Sequence, residues 1–137
     1  MAFYFWSLLI AASLPYLWIG YAKFSQGGYN NRKPRLFEES LSGACQRAHW
    51  AHLNAFEATP FFLAAIFVAH SRGVDVTLLN ELALVWLIAR VLHGVFYILD
   101  LHWLRSLAWG VAVLSNVMLF WQAAHTKSAD RLLNIFS

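Results

Sequence analysis

The sequence predicts an all-α integral membrane protein, a four-helix bundle whose helices all cross the bilayer. Hydrophobic residues make up 60% of the 137 residues and charged residues 12%, which lies outside the soluble globular range. Four soluble helices would each need a polar outer face, and the chain has too few polar residues to supply them. Its 7 Trp, 11 Phe and 5 Tyr are typical of aromatic belts at membrane interfaces.

Four stretches reach about the 20 apolar residues that a helix needs to cross the hydrocarbon core. The first lacks the basic start of a signal peptide and is too long for one, so we expect it to be retained. Pro15 and Pro60 lie inside the first two stretches, where a proline can kink a membrane helix without ending it. The stretches cover about residues 2–22, 48–69, 79–101 and 107–124, within one transmembrane domain over residues 1–137.

The connections differ in length and charge. The first, residues 23–46, contains Gly27-Gly28 and the basic run Arg32-Lys33-Pro34-Arg35, which are turn and breaker signals. The second is short, around residues 71–75. The third, His102–Arg105, is expected to be a tight turn that makes the third and fourth spans antiparallel neighbours. The tail, residues 127–137, is polar and then weakly amphipathic.

Basic residues predict the orientation of the chain. By the positive-inside rule, the first and third loops lie in the cytoplasm and both termini on the outer side. The net charge of +3 follows from this arrangement and does not indicate a nucleic-acid partner. The cytoplasmic loops and their flanks hold six basic residues (Lys23, Arg32, Lys33, Arg35, Arg47, Arg105), and the opposite side holds three (Arg72, Lys127, Arg131).

Polar and ionisable side chains inside spans are costly and by default mark a functional site. Here the ionisable side chains are confined to the second and third spans, and the first and fourth spans hold no charged residue in their apolar interiors. Their spacing places them in one stripe on each helix, and two such stripes can face each other inside a bundle. The second span carries Arg47, His49, His52, Asn54 and Glu57, and the third carries Arg90, His93, Tyr97 and Asp100.

Glu57 and Arg90 are both expected near the bilayer centre. Glu57 follows Arg47 by ten residues, which is about 15 Å along a helix. Because neither charge is tolerated alone at that depth, we predict a buried Glu57–Arg90 ion pair, within one subunit or between two. The other polar residues would then line a basic cleft that is open to the cytoplasm and suits a small anionic ligand beside a lipophilic co-substrate.

Two motifs resemble a known family. Arg47-Ala48-His49-Trp50-Ala51-His52-Leu53-Asn54-Ala55-Phe56-Glu57, followed by Pro60-Phe61, is similar to the second-helix signature of the MAPEG family, the membrane-associated proteins in eicosanoid and glutathione metabolism. Arg90-Val91-Leu92-His93-Gly94-Val95-Phe96-Tyr97, then Arg105-Ser106-Leu107, resembles the family's third helix and third loop. The resemblance extends over the whole chain and is to bacterial-type members similar to microsomal glutathione S-transferases.

The resemblance implies a homotrimer in the bacterial inner membrane that binds glutathione between subunits from the cytoplasmic side. It implies a detoxifying transferase or peroxidase whose other substrate is a lipophilic electrophile or lipid hydroperoxide. Arg105 would stabilise the glutathione thiolate, with Ser106 as a hydrogen-bond donor. A free thiol is mostly protonated at neutral pH, and a nearby guanidinium favours the thiolate. The glutathione-binding residues would be Arg47, Asn54, Glu57, Arg90, His93 and Tyr97.

One residue departs from the family pattern and keeps other functions open. Characterised eukaryotic members carry an arginine where this chain has Trp50, and Arg47, one turn earlier, is a candidate substitute. The departure favours an alternative, a non-catalytic membrane scaffold or lipid-binding protein with the same fold. A proton or ion pathway through Glu57, Arg90 and His93 is a third hypothesis, although the first and fourth spans offer no charged continuation.

Cysteine and histidine usage indicates no metal cofactor. Cys45 is the only cysteine, so an internal disulfide and a Cys-based zinc site are excluded. His49 and His52 are expected to be packing or interfacial residues. The histidines lack a matched carboxylate at ligand spacing, so we expect no metal site.

Overall fold

A computed structural model describes residues 2–126 and contains five α-helices. Four are long: α1 (Phe3–Gln26), α3 (Gly43–Ser71), α4 (Val76–Ile98) and α5 (His102–His125). All four are long and apolar enough to cross a membrane, which confirms the predicted all-α, four-span fold. We call the end where α1 stops and α3 begins the first-loop end, and the opposite end the second-loop end. The predicted amphipathic tail, with Lys127 and Arg131, lies outside the described residues.

The first loop contains a short helix, α2 (Pro34–Glu39), which the turn signals in this segment did not predict. Pro34 occupies its first turn, a position where a missing N–H costs nothing. Phe37 is buried in a small cluster with Ile19 of α1 and Ala48 of α3. The amide of Gln26 closes the loop, accepting from the Ser42 N–H at 3.0 Å and donating to the Ser40 carbonyl at 3.1 Å. The loop is therefore packed against the bundle.

The turn between α4 and α5 lies three residues earlier than the sequence predicted. His102 to Arg105, expected to form this turn, are the first residues of α5, and the chain reverses over residues 99–101. Asp100 adopts a left-handed conformation with φ 61°, which a short polar residue tolerates better than most. The Leu101 N–H then donates to the Phe96 carbonyl at 2.9 Å. Hydropathy cannot locate this turn because the residues that form it continue the apolar run of α4.

Pro15 shapes the contact between α1 and α3. A proline has no N–H, so it leaves the carbonyl of the residue four positions earlier without its helical donor. That carbonyl, on Ala11, accepts a long hydrogen bond from Thr59 Oγ1 at 3.4 Å. His52 Nδ1 lies 2.8 Å from the Pro15 carbonyl itself. Thr59 and His52 of α3 thus help to pack α3 against α1, as expected for His52.

The closest aromatic stacking lies next to Arg90, on the side toward the second-loop end. Phe62 of α3 and Trp86 of α4 are fully buried and stack with ring centroids 4.0 Å apart. Small residues such as Ala65, Ala69 and Ala83 surround them and let the helices approach closely. Asp75 caps α4 by accepting from the Thr77 N–H at 2.9 Å. This region anchors the bundle.

The outer surface of the bundle is apolar along the spans. Large hydrophobic side chains such as Leu17, Phe67 and Leu107 are exposed on three different helices. Water would not tolerate so much contiguous apolar surface on a monomer, whereas hydrocarbon does. The chain is a multi-pass integral membrane protein whose partner is the lipid bilayer.

Candidate functional site

Arg90 lies at the centre of the polar cluster between α3 and α4. Its side chain is 2% exposed, and its Nη2 donates to Asn54, to the side-chain Oδ1 at 2.9 Å and to the main-chain carbonyl at 3.2 Å. Asn54 Nδ2 in turn donates to Glu57 Oε2 at 3.4 Å. The predicted facing of the two polar stripes is therefore observed at this contact.

The direct Glu57–Arg90 ion pair is not formed within one chain. Over residues 2–126 the one side-chain ion pair is Arg35–Glu38, at 2.8 Å within α2. Asn54 occupies the space between the two expected partners, since its amide can accept from Arg90 and donate to Glu57 at the same time. Glu57 is exposed on the surface of the single chain, so a pair between two subunits stays a prediction.

Asn54, Glu57 and Arg90 line a cavity of about 300 Å³ between α3, α4 and α5. Its other walls are apolar and include Phe61, Trp86 and Trp109. A volume of this size is at the lower end for small-molecule sites, which combine apolar walls with a few convergent polar groups. The cavity thus has the composition of a ligand site at membrane depth.

Asn116 of α5 also lines this cavity, and the sequence analysis missed it. Its side chain is 2% exposed, and its Oδ1 is buried with no hydrogen-bond partner among the described residues. The search for ionisable residues passed over α5, which holds none in its interior. An amide in the middle of an apolar span was the signal that could have found it, because buried amides normally have partners.

A second cluster lies nearer the first-loop end, around Tyr97. The Arg105 guanidinium sits 4.3 Å from the centroid of the Tyr97 ring, which is a cation–π distance. His93, buried on the same face of α4 as Arg90, meets the Tyr97 ring edge-on at 5.5 Å. Trp50 of α3 lies on another side of Tyr97, with centroids 6.4 Å apart. Tyr97 therefore joins α3, α4 and the start of α5.

The remaining candidate residues are placed apart from the cavity. Arg47 Nε donates to the Ile98 carbonyl at 2.9 Å, so this guanidinium is held at the carboxyl end of α4. Ser106 follows Arg105 and is exposed on α5. His49 stacks on His52 at 6.0 Å, and its Nδ1 is buried without a partner in the described chain. Over residues 2–126, no three His, Cys, Asp or Glu side chains converge in a group that could hold a metal ion.

Comparison with known proteins identifies one family. A model of the MAPEG family matches residues 3–125, which is nearly the whole chain and includes all four spans. No curated protein matches the chain. No solved structure matches it either.

Proposed function

The chain belongs to the MAPEG family, and on that premise we propose that it is a membrane-bound, glutathione-dependent transferase or peroxidase. Membership is consistent with such an enzyme. The proposed co-substrate is glutathione, the other substrate is a lipophilic electrophile or lipid hydroperoxide, and the proposed role is detoxification.

The position of Arg105 is the observation that carries this proposal. Its guanidinium lies over the Tyr97 ring, a contact that uses the flat face of the group and leaves the N–H donors at its edge for a ligand. An unvarying positive charge beside a bound thiol favours the thiolate. The Ser106 hydroxyl, next in the chain, would donate a hydrogen bond to the same sulfur.

The reaction then needs little else from the protein. The thiol proton leaves to solvent through the first-loop end, and the thiolate sulfur forms a bond to the electrophilic carbon while the leaving group departs with its electron pair. With a hydroperoxide, the thiolate sulfur bonds to the terminal oxygen as the O–O bond breaks, and the lipid leaves as an alkoxide that takes a proton to become the alcohol. A second glutathione then reacts with the resulting sulfenic acid, which gives the disulfide and water. In either case the positive charge of Arg105 would stabilise the glutathione thiolate before the new bond to sulfur forms.

The polar residues deeper in the bundle would hold the rest of glutathione. Arg90 pairs with a carboxylate, an interaction suited to its forked donors, and Glu57 accepts from the ammonium. Asn54, His93 and Tyr97 complete the wall between them. Arg47 contributes through its Nη nitrogens, because only its Nε is bonded to the Ile98 carbonyl.

The site is incomplete in a single chain, which supports the homotrimer. Glu57 is exposed at a depth where hydrocarbon would meet it, and a charge facing lipid is costly. Trp50, beside the site, is 44% exposed on the same helix. A second copy that covers this face of α3 would remove both from lipid and complete the glutathione site between subunits.

The charge distribution supports the proposed topology. The first-loop end carries the basic residues of loop 1 together with Arg47 and Arg105, and the positive-inside rule assigns that end to the cytoplasm. Glutathione would therefore enter from the cytoplasm, with both termini on the outer side of a bacterial inner membrane.

The alternative, a non-catalytic scaffold or lipid-binding protein, is favoured by Trp50. It presents an indole beside Tyr97 where characterised relatives have a cation, and the nearby Arg47 already bonds the end of α4. Such a protein would keep the bundle but bind no glutathione.

Ultraviolet difference absorbance of the detergent-purified protein, titrated with glutathione, tests the proposal. We expect a saturable thiolate band in the wild type that Arg105→Ala loses. Arg72→Ala is the control: it removes an arginine at the second-loop end, where the Arg72 Nε donates to the Ala123 carbonyl at 3.3 Å. It should keep the band. No band and no calorimetric binding in the wild type would refute the enzyme and favour the scaffold.

A further inference from the structure

We propose that Asn116 is a ligand-binding residue, and that its side-chain amide accepts a hydrogen bond from the α-ammonium of glutathione at the deep end of the cavity. The inference rests on the proposed function and adds to it a residue from α5, a helix that contributes no other polar side chain to this cavity.

Burial without a partner is the first argument. Asn116 is 2% exposed, and its Oδ1 finds no donor among the described residues. Leaving a buried amide oxygen unsatisfied is destabilising, and an apolar residue would avoid that cost. Ser115, the adjacent buried residue, instead donates to the Val111 carbonyl of its own helix at 2.9 Å. Asn116 is thus suited to a partner that residues 2–126 of the chain do not provide.

The place of Asn116 in the bundle also supports the proposal. Asn116 shares the 300 Å³ cavity with Glu57 and Arg90. It follows Arg105 by eleven residues along α5, which is about 16 Å deeper. Because the thiol is on the central residue of glutathione, its γ-glutamyl arm would be fully extended to bring the ammonium from Arg105 toward this depth. Asn116 therefore lies at the end of the cleft farthest from the thiol.

The chemistry of the three side chains points to an amino-acid head group. Arg90 supplies cationic donors, and only its Nη2 is used by Asn54, which leaves further N–H groups for a carboxylate. Glu57 and the Asn116 carbonyl are two acceptors, and an ammonium has three donors to share between them. Asn116 lines the same cavity, so its side-chain amide borders the space that this head group would occupy. The γ-glutamyl end of glutathione carries this combination of ammonium and carboxylate.

Calorimetric titration of Asn116→Leu with glutathione tests the inference. We expect glutathione to bind on the order of tenfold more weakly, as for loss of a hydrogen bond to a charged group. The unliganded variant should be as heat-stable as the wild type or more so, because the unsatisfied amide is gone. A purely structural asparagine would show the opposite, a lower unfolding temperature with unchanged affinity. Ser115→Ala, which removes a neighbouring hydroxyl that lies outside the cavity, should leave glutathione affinity unchanged.

A ligand variant identifies the group that Asn116 contacts. Glutaryl-cysteinylglycine has the carboxylates and thiol of glutathione but no ammonium. Wild type and Asn116→Leu should bind it equally. Equal losses for both ligands would overturn the assignment to the ammonium, and unchanged glutathione affinity in Asn116→Leu would overturn the inference while leaving the enzyme intact. If the wild type binds no glutathione, both proposals fail.

Discussion

Around Phe62 and Trp86 the helices meet through stacked rings and alanines, whereas around Asn54 and Arg90 they meet through polar bonds beside a cavity. The first region has no charged side chain in its core, and its close packing maximises dispersion contacts. The second holds a buried guanidinium, an exposed carboxylate and an unsatisfied amide. One region of the bundle is organised for stability and the other for binding, so substitutions should affect them in different ways.

The largest stability loss should come from the packed region. Phe62→Ala removes a fully buried ring from the Trp86 stack and should lower the free energy of unfolding by about 3–5 kcal/mol. Unfolding in mixed detergent and dodecyl sulfate micelles measures it. Phe67→Ala, on the same helix but 72% exposed, is the control and should change it by less than about 0.5 kcal/mol. Similar losses in both would show that this region is not a specifically packed core.

Close packing between α1 and α4 also supports the binding region. Gly94 of α4 has no room for a methyl group, which would overlap the Trp18 ring of α1. Gly94→Ala should therefore cost about 1–3 kcal/mol through overpacking. Gly110→Ala, at a helical glycine with nothing within 4 Å of its added Cβ, should instead be neutral or stabilising by up to about 1 kcal/mol. If Gly94→Ala matched Gly110→Ala in dodecyl sulfate unfolding, the α1–α4 contact would be looser than described.

Thr59 should have a smaller effect that depends on Pro15. Thr59→Val removes the donor to the Ala11 carbonyl and should cost about 0.5–1.5 kcal/mol. In a Pro15→Ala background the restored N–H supplies that carbonyl, so the same change should cost less. A double-mutant cycle on thermal unfolding measures the coupling. Equal costs in the two backgrounds would mean that Thr59 acts through its bond to Ala55.

The smallest stability change should come from Arg90, despite its burial. Arg90→Met removes the cost of dehydrating a charge that has no ion-pair partner within the described residues, and it leaves Asn54 Oδ1 without its donor. These two effects oppose each other. We expect Arg90→Met to change the free energy of unfolding by about 1 kcal/mol or less. A loss as large as that of Phe62→Ala would mean that the polar cluster is a structural element of the bundle.

The four spans were predictable because hydropathy over a membrane length is a strong signal, and so was the contact between the polar stripes of α3 and α4. Local backbone geometry was not. The turn at Asp100 lies within an apolar run, and α2 begins at a proline that also signals a turn. Spacing along one helix gives a residue's depth and face but not its partner. The sequence therefore paired Arg90 with Glu57 when Asn54 lies between them. Asn116 was overlooked because the expectation of a functional site followed the charged residues, and α5 has none in its interior.

Titration calorimetry with glutathione on wild type, Ile66→Val and Arg90→Met most directly tests the division between a stabilising and a binding region. Ile66 is fully buried in the packed region, and its substitution should reduce stability by about 0.5–1.5 kcal/mol while leaving the protein folded. The account predicts the same saturable heat in wild type and Ile66→Val and none in Arg90→Met. Absence of saturable heat in the wild type, or equal heat in all three proteins, would contradict it.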